Sequence, residues 1–110
     1  MSALNLRDDA MRAFVSSVCP MEATAPTWCS GWSAHELAAH VAAAAEERAK
    51  LIERHLAGKP SGATRSWQVR EPPFRAMPDA VLRNRLVEHA IRFEEDVAAL
   101  AADDTVVYTG

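Results

Sequence analysis

Two histidines have the most chemistry to offer, because His40 and His89 each fall on an apolar stripe of helical spacing, where an imidazole must find a hydrogen-bond partner or a metal. His40 shares a face with Leu37, Val41, Ala44, Leu51 and Leu56, and His89 lies among Leu82, Leu86, Phe93, Val97 and Leu100. Bundles build metal sites from several inward ligands on facing helices. One such histidine alone reads as a satisfied core or cleft residue, whereas two invite pairing as ligands. Glu47 follows His40 by seven residues, about two turns, and returns near the same face. It reads first as a rim charge and second as an outer carboxylate behind a metal-bound His40. Arg65, Arg70 and Arg75 lie in one connection and offer cations to an anionic ligand such as a carboxylate substrate, with Arg70 as the candidate contact. The plainer reading of that stretch is a basic surface crossover plugged by Trp67 and Phe74. Cys29 has no base or cation paired with it by spacing and reads as a small packed turn residue rather than a nucleophile.

Long helices must position these groups. Ser33 with Glu36 has the form of a capping box, so a helix starts there and runs without glycine or proline to Gly58 and Pro60, about 25 residues or roughly 37 Å. Glu46, Glu47, Arg48, Lys50, Glu53 and Arg54 mix signs along it as a solvated face does, with pairs such as Glu46 and Lys50. His35, in its first turn, reads as exposed and neutral beside the positive end of the dipole, and His55 lies in the last turn, where a cation is favoured. Before it, Asn5 can cap a scaffold helix with Asp8 and Asp9 in the opening turn and Leu6, Ala10, Phe14 and Val18 as its buried stripe, ended by Pro20. Trp28 and Trp32, in the connection that follows, are expected to cover the bundle's end, with Trp32 stapled onto Leu37. After a crossover of about 20 residues, Pro78 and Asp79 begin a third helix, and Thr105 to Gly110 have the composition of a strand or extended segment.

The run Pro26-Thr27-X-Cys29-X-Gly31-Trp32-Ser33, followed by Ala39-His40-Val41, resembles the N-terminal signature of the mycothiol-dependent maleylpyruvate isomerase family, within the DinB and YfiT-like group of metalloenzymes. The resemblance is clear over residues 20 to 57. It implies a four-helix bundle in which His40 is one of three protein ligands to a divalent metal, usually zinc, with mycothiol as the thiol cofactor. In that family the other two ligands lie on a fourth helix, as a glutamate or histidine followed four residues later by a histidine. No such pattern follows the third helix here, and the family does not obviously draw a ligand from the position of His89.

At 110 residues one domain is expected, and 49% hydrophobic with 25% charged residues suits an ordinary globular chain. A net charge of −3 with scattered basic residues gives no stripe to track a phosphate backbone, so nucleic acid is not an expected partner. No apolar run reaches membrane-spanning length and no leader pattern is seen, which makes the cytoplasm the default, with Cys19 and Cys29 reduced. The expected fold is all-α, an up-down bundle made of the first three helices of a DinB/YfiT-like four-helix domain, residues 1–110 forming one domain cut short. Its open apolar face calls for a missing C-terminal portion or a homodimer. Two functions fit: the N-terminal part of a metal-binding, mycothiol-dependent transferase or isomerase acting on a small-molecule thiol and substrate, or a noncatalytic helical module that dimerises or binds a partner helix.

Overall fold

Ser33 starts a helix as its spacing predicts. In the computed structural model, which describes residues 6–60 and 64–102, its hydroxyl accepts from the Glu36 N–H at 3.2 Å while Glu36 accepts from the Ser33 N–H at 3.1 Å. Among the described residues the helical segments are α1 (Asp9–Val18), α2 (Ala34–Leu56), α3 (Trp67–Arg70), α4 (Pro72–Arg75) and α5 (Asp79–Ala101). α2 stops where Gly58 takes a φ of 72°, a left-handed conformation that suits glycine at a helix end. The described residues contain no strand; only an isolated bridge joins Pro26 to Ser33.

α2 and α5 run parallel, with His35 beside Asp79, Glu46 beside His89 and Glu53 beside Arg92, and this pair forms the spine. Ala38, Ala39, Ala42, Ala43 and Ala49 are buried along α2, and this run of small side chains lets α5 approach closely and press Leu82, Leu86 and Ala90 completely out of solvent. Each of those leucines contributes about 1.5–3 kcal/mol of apolar burial. The stripes are narrower than periodicity implied. Leu56 and Val97, expected inside, are exposed, while Val87 and Ile91 take core positions on α5.

α1 packs on α5, and its N-cap is Asp8, whose carboxylate accepts from the Met11 N–H at 2.7 Å. Asp8 therefore precedes the helix rather than lying in its opening turn, and Asn5 lies outside the described residues. Within α1, Val15 and Val18 face the core and Ala10 faces water. Two polar clasps hold α1 to α5. Glu94 accepts from the N–H groups of Arg7 (2.7 Å) and Asp8 (2.8 Å), and the Arg83 guanidinium, paired with Asp79 at 2.6 Å, donates to the carbonyls of Cys19 and Met21. These bonds satisfy groups that a helix end leaves without partners.

The crossover is not an irregular loop. Its two single-turn helices, α3 and α4, were not legible as periodicity because four residues cannot establish a period. Phe74 of α4 is buried in the core, whereas Trp67 stays half in water. The expected strand at Thr105 to Gly110 lies outside the described residues.

Candidate functional site

The turn before α2 is built to present Trp32. Thr27 Oγ1 donates to the Trp32 carbonyl at 2.9 Å and accepts from the Cys29 N–H at 3.1 Å, while the Trp32 N–H reaches the Cys29 carbonyl at 3.1 Å. Gly31 adopts a φ of 83°, which a side chain would resist. The Thr-X-Cys-X-Gly-Trp spacing thus encodes one hydrogen-bonded turn. Trp32 was expected to staple onto Leu37. Its ring stands edge-on to His40, centroids 5.2 Å apart at 68°, and the Arg75 guanidinium lies 5.4 Å from its centroid. Trp28 remains largely exposed and meets the edge of Phe14 at 6.0 Å.

His40 sits in the second turn of α2, its side chain 40% exposed. Its Nδ1 is hydrogen-bonded to Glu71 Oε1, and its Nε2 has no partner among the described residues. Glu71 follows α3 and precedes Pro72, and its side chain is only 1% exposed. Its second oxygen accepts from Arg75 at 3.3 Å, and Arg75 also lies 3.7 Å from Glu36. Trp32, His40, Glu71 and Arg75 therefore close a ring of contacts drawn from the turn, α2 and the crossover. A cleft of about 460 Å³, lined by Thr24, Pro26, Thr27, Trp28 and Trp32, shares the Trp32 wall with this ring.

Glu47, the carboxylate that spacing placed behind His40, is engaged elsewhere. It is buried and accepts from the Arg65 N–H at 2.8 Å and from the Arg65 guanidinium at 3.0 and 3.2 Å. Those bonds to Arg65 outweigh burial and hold its pKa below the usual carboxylate range. The carboxylate that meets His40 is Glu71. Sequence reasoning missed it because it lies 31 residues from His40 in a stretch without periodicity.

His89 is also placed differently from His40. Its Nε2 lies 3.3 Å from Glu46, its ring stands edge-on to Phe74 at 5.7 Å, and its Nδ1 is buried without a partner among the described residues. Burial lowers its pKa, against the opposing pull of Glu46. Beyond it, the Arg92 guanidinium grips Glu53 at 2.5 and 2.6 Å and holds that carboxyl down at about 2, while burial and then Glu53 push Asp96 up to about 6.

His35 is not the exposed neutral ring expected of a first-turn residue. Nδ1 lies 2.9 Å from Asp79 and Nε2 2.9 Å from the Arg75 carbonyl, so two acceptors face its two nitrogens. Burial pulls its pKa down, but the bonds to Asp79 and Arg75 prevail and raise it. Burial raises the pKa of the Cys19 thiol against the pull of Arg83.

Arg70 donates to the Arg65 carbonyl at 3.4 Å, and its Nε is buried without a partner. Arg65 and Arg75 pair with glutamates, whereas Arg70 meets no carboxylate among the described residues. Among those residues no group of three or more His, Cys, Asp or Glu side chains converges as a complete metal site requires. They fit one vertex of such a site, an imidazole with a carboxylate behind it and an open nitrogen in front.

No helix of the described residues is long and apolar enough to cross a membrane. No curated protein and no solved structure matches the chain. The family model described as mycothiol maleylpyruvate isomerase N-terminal domain matches residues 4–110. A helical spine carrying His40 behind a Thr-X-Cys-X-Gly-Trp turn agrees with that match, and the chain belongs to the mycothiol maleylpyruvate isomerase N-terminal domain family.

Proposed function

We propose that this domain supplies one protein ligand, Nε2 of His40, to a divalent metal, zinc by the resemblance, in a mycothiol-dependent isomerase or transferase of the cytoplasm. The observation that supports this reading is the open Nε2 on a half-exposed ring whose other nitrogen is already engaged. The remaining donors would come from outside the described residues. When bound, the metal would lower the pKa of a coordinated thiol and so supply a thiolate at neutral pH. This chain's residues do the positioning. Trp32 fixes the His40 ring from one edge, and the neighbouring 460 Å³ cleft has the size of a small-molecule site, suited to the thiol. Arg70, with no carboxylate of its own among the described residues, is the group to meet a carboxylate of the substrate or thiol. His89 is not proposed as a ligand, since its Nε2 faces Glu46 and its Nδ1 is enclosed.

Elemental analysis of the purified full chain tests the reading. Roughly stoichiometric divalent metal, lost in His40→Ala and retained in His89→Ala, is the expected result. Metal-free wild-type protein that forms a tight dimer would instead favour a noncatalytic helical module.

A further inference from the structure

We infer that Glu71 is a positioning residue that fixes the proton of His40 on Nδ1 and leaves the Nε2 lone pair facing outward, and that Arg75 makes this choice of tautomer one-sided. An ionised carboxylate only accepts hydrogen bonds, so a ring nitrogen bonded to Glu71 must carry the proton. In the neutral imidazole the other nitrogen is then a bare donor atom for a cation. Glu71 cannot drift from this task. Its side chain is 1% exposed, Pro72 follows it, and its second oxygen is held by the Arg75 guanidinium, which is itself seated over Trp32 and near Glu36. An imidazole that ligates a metal commonly donates its second nitrogen in this way, and losing the outer partner weakens metal binding by about 10–100-fold.

Arg75 also dictates what an amide would do in place of the carboxylate. In Glu71→Gln the amide oxygen must face the Arg75 donors, which turns the NH2 toward His40 Nδ1. A donor there requires Nδ1 to be unprotonated and moves the ring proton to Nε2. The substitution therefore keeps size and burial but closes the outward nitrogen. Glu47→Gln is the control, since Glu47 is also buried and bonds Arg65 instead of a histidine.

The inference uses the proposed role of His40 for its purpose but is tested apart from it. Nitrogen-15 chemical shifts of the His40 ring, read on metal-free full chain at about pH 8 where a free imidazole is neutral, report the tautomer directly. The expected result is Nδ1–H in the wild type and in Glu47→Gln, and Nε2–H in Glu71→Gln, with zinc affinity reduced about 10–100-fold only in the last. A wild-type ring protonated on Nε2 overturns the inference without any variant, even if Glu71→Gln fails to fold. So does a folded Glu71→Gln with an unchanged tautomer. A wild-type Nδ1–H ring that takes up no zinc upholds the positioning by Glu71 and removes the metal reading, so the two failures are distinguishable.

Discussion

Two stretches along α2 each lie beside a histidine and a buried glutamate, yet these groups are arranged differently. Toward the start of α2, the His40 ring is bonded through Nδ1 to buried Glu71 and presents Nε2 to the outside. Farther along, Glu47 is spent on Arg65, and His89 turns Nε2 toward Glu46 while its Nδ1 is shut in beside Phe74. The first arrangement leaves Nε2 without a partner among the described residues; the second leaves an imidazole whose pKa burial lowers and whose Nδ1 is enclosed. A histidine on an inward stripe is therefore not yet a ligand. What decides is which nitrogen the protein uses and whether the other meets solvent.

The largest expected effect comes from Phe74→Ala, because Phe74 is the core anchor of the crossover that carries Glu71 and also the wall beside His89. Chemical denaturation should show a loss of about 3–5 kcal/mol. In the folded fraction, the His89 pKa should rise toward the ordinary imidazole value as water reaches the ring. An unmoved His89 titration would show that the two regions are not coupled through this residue.

A smaller loss is expected from Glu47→Ala. The partner left behind, Arg65, has a side chain 47% exposed and can return to water, so the cost should be about 1–2 kcal/mol rather than the 3–5 kcal/mol of a fully enclosed pair. Metal content should be unchanged, which separates this glutamate from Glu71. Loss of metal in Glu47→Ala at intact fold would mean that the two buried carboxylates share a role after all.

Much of the scaffold was written locally. The Ser33–Glu36 box and Gly58 set the ends of α2 because caps act within a few residues, and the Leu82 and Leu86 positions follow from period alone. The place of His40 on α2 was legible for the same reason. Its partner was not, since the pairing of His40 with Glu71 is made by a crossover whose two single turns have no period to read, and helical geometry offers only carboxylates of α2 itself, such as Glu47. His35 failed for a related reason. First-turn position predicts solvent, but Asp79 and the Arg75 carbonyl arrive from elsewhere in the chain and enclose it.

The smallest expected effects are in pH dependence, and there His35 and His89 should act with opposite sign. The pKa of His35 is raised above its unfolded value near 6.5, so the native state binds more protons as pH climbs through that interval. Its stabilising contribution is complete below about pH 6.5 and fades as pH rises through the folded value. His89 is lowered by burial, so there the unfolded state binds more protons and the contribution, complete above about pH 6.5, is lost as pH falls through the folded value. Thermal midpoints of wild type, His35→Gln and His89→Gln across this range compare the two groups; Glu53, which His89 helps to hold down at about 2, titrates below it. Each difference should amount to about 1 kcal/mol or less once solvent screening is allowed for. The wild-type advantage over His35→Gln should shrink toward alkaline pH, and that over His89→Gln toward acid. Parallel slopes would mean that His89 is charged in the folded state and that the enclosed ring resembles His35, gripped by acceptors, more than a residue held neutral by its surroundings.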